Sequence, residues 1–147
     1  MDYPALIAFF DEYNAHFRDF LKFEYGKLDM LNKGEIEKLS RSLSTEQAFI
    51  MKSGSLEKHR IGLTGDNVTF ADIVEGAPDE YRAALDERYR ALSEMVLKIK
   101  EINDTASAIV AQRLKKIRMR NGGLDTYNGH GDVKKENAIN STMSTNA

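Results

Sequence analysis

Few residues of this chain have types and spacing that could do chemistry. They are three histidines, one glutamate on an apolar stripe, a glycine pair and a basic run. His16, His59 and His130 never fall at the HxxxH spacing that puts two ligands on one helix face. His16 and His59 can meet across antiparallel helices, but a zinc site takes three or four ligands. They read as two partly exposed helix histidines, and His130, between Gly129 and Gly131, as a solvated one. Cysteine is absent, which excludes a thiolate nucleophile, a disulfide and a cysteine-held zinc or iron–sulfur centre. No ExxH pair lies on the expected core faces, so a di-iron bundle lacks its ligands. The sequence contains no GxxxxGK[ST], no GxGxxG after a strand and no GxSxG. Gly122-Gly123 follows a helix C-terminus, whose dipole repels anions.

Glu24 falls on the apolar stripe of the first predicted helix. A buried carboxylate needs a partner, and Arg60 or Lys52 on the next long helix is the expected one. The chemical alternative is an acid aimed at a substrate. The run RLKKIRMR, 113–120, could touch nucleic acid or an acidic membrane surface. It has no interleaved aromatic or asparagine readers, and cations there suit the helix dipole. The formal net charge of −2 also argues against a generic nucleic-acid binder. No catalytic constellation emerges, so neither an enzyme nor a cofactor is expected.

The elements that would position these residues are helical. Leu6, Phe10, Tyr13, Phe17, Leu21, Leu28 and Leu31 recur at steps of three and four from about Pro4 to Leu31. Phe9, Phe20 and Phe23 widen that stripe into an arc that one neighbouring helix would not cover. Asn32-Lys33-Gly34 signals a turn. A helix from Glu35 follows, and Ser44-Thr45-Glu46-Gln47 reads as a capping box that either restarts or bends it. It continues to about Leu63 with Phe49, Leu56 and Leu63 on one face, weakened at Gly54. Thr69 with Asp72 predicts a short capped helix over 70–75, with Val68 and Ile73 as its hydrophobic staple.

The longest helix is predicted from about Pro78 to Arg120, roughly 65 Å at 1.5 Å per residue. Leu85, Tyr89, Leu92, Val96, Ile99, Asn103, Ala106, Val110, Arg113 and Ile117 alternate steps of four and three, a coiled-coil signature. Residues 121–147 are rich in Asn, Ser, Thr and Gly and are expected to form a flexible tail. The expected fold is thus all-α: an elongated antiparallel helical hairpin or bundle with coiled-coil character, one long C-terminal helix and a tail. The domains are 1–120 and 121–147. No apolar run of about twenty residues suggests a membrane span, and MDYPALIAFF lacks the basic region of a secretory signal. A cytoplasmic location is expected.

Several segments resemble one family in order along the chain. Residues 20–31, FLKFEYGKLDML, with Lys33-Gly34-Glu35-Ile36, look like the first hairpin of the FlgN-type flagellar export chaperones. Residues 46–52, EQAFIMK, and 56–60, LEKHR, resemble that family's second helix. Gly62-Leu63 and Thr69-Phe70-Ala71-Asp72-Ile73-Val74 resemble its loop and short helix. Asn103, Arg113-Leu114 and residues 124–131, LDTYNGHG, are similar to its end. The likeness spans about residues 5–131; Gly54 and the extension after Gly131 depart from it. The resemblance implies a cytoplasmic, ATP-independent chaperone of flagellar type III export. Its clients would be the hook-associated junction proteins FlgK and FlgL, bound through C-terminal helical segments and delivered to the export gate protein FlhA.

For the client surface, the distal half of the long helix is the expectation: Asn103, Ala106, Val110, Leu114 and Ile117. Past about Val110 the first helices look too short to cover it. Intramolecular or homodimer core is the competing reading of the same seam. Tyr127 is an aromatic on a tether of small polar residues, a usual docking element, and the family's tail tyrosine implies docking to the gate. A different class stays open: a self-assembling coiled-coil structural or secreted flagellar or type III subunit.

Overall fold

The computed structural model describes residues 1–121 and is all-α. Four helices follow in order: α1 (Tyr3–Lys33), α2 (Ile36–Thr64), α3 (Phe70–Gly76) and α4 (Asp79–Arg120). Among the described residues there is no strand, and no helix is long and apolar enough to cross a membrane. The expected tail, with His130 and Tyr127, lies outside the described residues.

Local chemistry sets the helix ends. Asp2 caps α1 by accepting from the Ala5 amide at 3.0 Å, and Pro4 occupies the first turn, where its missing N–H costs nothing. Gly34 ends α1 in the left-handed region at φ 70°, which a side chain resists. Its amide reaches the Leu31 carbonyl and the Glu35 amide reaches that of Met30, closing a Schellman turn. The reversal is therefore tight, and α2 returns along α1. Thr69 and Asp72 form the expected reciprocal box at 3.1 and 2.9 Å.

The Ser44 box does not form. α2 runs unbroken through it, and the Ser42 and Ser44 hydroxyls donate back to the Leu39 and Arg41 carbonyls within the helix. Gly54 also lies inside α2, exposed.

α1 packs against α2 on one side and, more extensively, against α4 on the other. Tyr3 stacks on Tyr81, Asn14 reaches the Arg88 carbonyl, and Arg113 reaches the Asn32 carbonyl. Those pairings rise together, so α4 runs parallel to α1, whereas α2 runs antiparallel to it. α3 makes the difference, reversing the chain a second time at the base. The core there joins Leu6, Phe9, Phe10 and Tyr13 of α1 to Leu56, Ile73, Leu85 and Leu92. At 42 residues, α4 is about 63 Å long. Its final turns, after Arg113, pass the end of α1.

Candidate functional site

α1 has two long neighbours, and between them lies a groove of about 680 Å³. Its floor is Tyr13, Phe17 and Phe20 of α1. Ile50 and Ser53 of α2 form one wall. Tyr89, Ser93, Val96, Leu97 and Lys100 of α4 form the other, and Phe70 of α3 closes the lower end. The wide apolar arc of α1 explains the groove. α2 and α4 cover the flanks of that arc, and α3 covers only its base.

Each wall is anchored from below and behind. Phe70 packs edge-on to Phe10 at 4.9 Å and against Tyr13 at 5.5 Å. Arg60 of α2 lies over the Phe70 ring, 5.2 Å from its centroid. The same guanidinium donates to Glu57 at 2.6 Å and to the Val68 carbonyl at 2.6 Å, and so ties the loop before α3 to α2. Hydrogen bonding to Arg60 holds the Glu57 carboxyl below its ordinary range. Tyr13 donates to that carboxylate at 3.4 Å; burial first, then the Glu57 charge, pushes its hydroxyl up to about 12. On the α2 side, Phe20 stacks on Phe49 at 5.2 Å, and Phe23 meets the same ring at 5.3 Å.

One nucleophile type touches one base type here. His16 Nε2 lies 2.7 Å from Ser53 Oγ. The Ser53 hydroxyl, however, donates to the Phe49 carbonyl at 3.0 Å, one turn back along α2. The imidazole is then the donor and Ser53 the acceptor, the reverse of what a general base needs. Burial lowers the His16 pKa, assisted by the Lys52 charge, which keeps the ring neutral. The pair ties α1 to α2. His16 is therefore a buried core residue, not the partly exposed one expected. It does not meet His59, which is exposed and sets its ring against Phe9. Among the described residues no group of three or more metal-ligating side chains is placed to hold a metal.

Glu24 is buried, as its register implied, but neither Arg60 nor Lys52 is its partner. Lys27 lies 3.2 Å from it, three residues on, and also pairs with Glu46 of α2. Arg60 lies about four turns along α2 from Glu46, committed to Glu57 and Val68.

The expected client residues divide by height along α4. Asn103 and Ala106 are buried, Val110 and Leu114 are half-buried, and Ile117 is 52% exposed beyond the end of α1. Tyr127 lies outside the described residues. The groove brings together a different α4 set, a little lower. Val96 is 39% and Leu97 57% exposed, and both face the groove. Lys100 is the single charged side chain in the lining. A trough of aromatic and aliphatic side chains with four hydroxyls and one ammonium suits the apolar face of a helix, held by packing.

No family model, no curated protein and no solved structure matches the chain.

Proposed function

We propose that this protein is a non-catalytic, cytoplasmic, ATP-independent chaperone of flagellar type III export. It takes C-terminal helical segments of the junction proteins FlgK and FlgL, prevents their premature assembly and delivers them to FlhA. The observation that carries the binding half is the apolar groove above α3, flanked by α2 and α4 with the α1 aromatics as its floor. α3 supports it by example, because a short helix of the same chain already fills the base of that crevice through Phe70 and Ile73. The flagellar half rests on the ordered resemblance of residues 5–131 to the FlgN-type chaperones. Delivery through Tyr127 rests on the same likeness.

The physics suits a carrier. A client segment that is disordered alone gives up conformational entropy when it orders in the groove, so specific binding stays releasable. Packing supplies the affinity, and no covalent step is required for release.

The test is co-elution of the full chain with a C-terminal helical fragment of FlgK or FlgL, by size exclusion with light scattering. A stoichiometric complex with protease protection of the fragment is the expected result. Failure of both fragments at tens of micromolar overturns the flagellar assignment. If the protein alone then runs as an elongated dimer, the groove and the α4 heptads are self-association surfaces of a structural subunit.

A further inference from the structure

One turn above the groove, two buried carboxylates share one ammonium. Glu24 of α1 is 1% exposed and Glu46 of α2 is 6% exposed. Lys27 pairs with both, and its own side chain is almost covered. Glu24 Oε2 has the lysine at 3.2 Å yet accepts no aligned hydrogen bond. With both carboxyls ionised the cluster carries a buried net charge of −1, which a low-dielectric interface resists. One added proton makes it neutral. It also turns Glu24 into a donor toward the opposite carboxylate, the arrangement of two carboxylates sharing one proton.

Charged groups face Glu24 from two elements: Lys27 of its own helix and Glu46 of α2. The residues of α4 buried at that level, between the Asn14–Arg88 and Asn32–Arg113 contacts, are Leu92, Ile99, Ile102, Asn103 and Ala106. All are uncharged. No charged group of α4 acts on the Glu24 carboxyl.

We infer that Glu24, Lys27 and Glu46 form a proton-held latch that fastens α2 to α1 and loosens when the shared proton leaves. The latch stands on these side chains alone and does not depend on the export reading. Phe20 lies one turn from Glu24, and Phe49 and Ile50 about one turn from Glu46. Loosening would therefore free the stacked Phe20–Phe49 pair and the α2 wall of the groove. Burial first, opposed by Lys27 and reinforced by Glu46, raises the Glu24 pKa from 4.5 to about 7. Between those two values the folded chain holds a proton that the unfolded chain has released. This contribution to stability is complete below about 4.5, falls as pH rises toward 7, and is gone above it. His16 works the other way: its lowered pKa favours the folded state as pH rises through the unfolded value of 6.5. It remains in every variant below, so a difference between variants cancels it.

The experiment follows the Glu24 carboxyl carbon by NMR in the full chain from pH 4 to 9, with melting curves of wild type, Glu24→Gln and Glu46→Gln. The expected Glu24 midpoint is near neutral in wild type and falls in Glu46→Gln. The wild-type melting temperature should drop by about 5 °C or more relative to Glu24→Gln between pH 5 and 8. Amide exchange over residues 42–50 should rise over the same range in wild type only. A Glu24 midpoint in the ordinary carboxylate range overturns the latch, and so do parallel pH profiles for wild type and Glu24→Gln. If Glu24→Gln fails to fold, the wild-type titration and the Glu46→Gln shift still decide.

Discussion

The base of the bundle and the stretch above it are built from the same three long helices but are finished differently. At the base, α3 fills the crevice beside α1, and Phe10, Leu85 and Ile73 are sealed from water. Above Phe70 the same crevice is open, with Val96 and Leu97 facing it. The charges follow the same division. Arg60 at the base has a carboxylate, a carbonyl, a hydroxyl and an aromatic face around it. Glu24 above has one shared lysine and a like charge opposite. A filled crevice with paired charges holds the fold. An open crevice with an unbalanced charge beside it is where the proposed client would bind.

This contrast can be broken first at the base. Phe10→Ala removes a ring with no exposed surface from between α1, α3 and α4. The expected cost is about 3–5 kcal/mol in chemical denaturation, enough to threaten folding. Arg60→Met keeps much of the side-chain volume but cuts the tie from α2 to Val68 and the contact with Phe70. Glu57 is 42% exposed on its side chain, so solvent screens part of that ion pair. The expected loss is roughly 1–3 kcal/mol, with increased amide exchange in α3 and little change in α1. A loss spread evenly over all four helices would mean that the base and the upper stretch unfold as one unit, and the division drawn above would fail.

Much of this was legible in the residues. The periodicity of α1 and α4 located both helices, and Thr69 with Asp72 located α3 to within a residue. The width of the α1 apolar arc already meant that one neighbour would not cover it, leaving a second helix or a partner to do so. What escaped was register. A tight turn at Gly34–Glu35 makes residues nearly equidistant from it face each other, so Glu24 meets Glu46, His16 meets Ser53 and Tyr13 meets Glu57. Counting from that glycine would have excluded Arg60 and Lys52 as partners of Glu24, and His59 as a partner of His16. The Ser44 box failed for another reason. A serine hydroxyl can serve a helix end or a carbonyl of its own helix equally well locally, and the packed length of α2 against α1 decides between them. The groove was hidden because it depends on where α3 stops, and the length of a short helix between two loops sets no pattern of its own.

We propose that a client helix lies in the groove and not along the distal end of α4. Paired binding titrations of Leu97→Asp and Ile117→Asp, with the FlgK or FlgL fragment, test it most directly. Both side chains are more than half exposed, so each substitution should change stability by no more than about 0.5 kcal/mol. Loss of binding by tenfold or more in Leu97→Asp, with Ile117→Asp close to wild type, is the predicted result. The opposite pattern, with Ile117→Asp losing the client and Leu97→Asp keeping it, would contradict the groove and return the site to the distal seam.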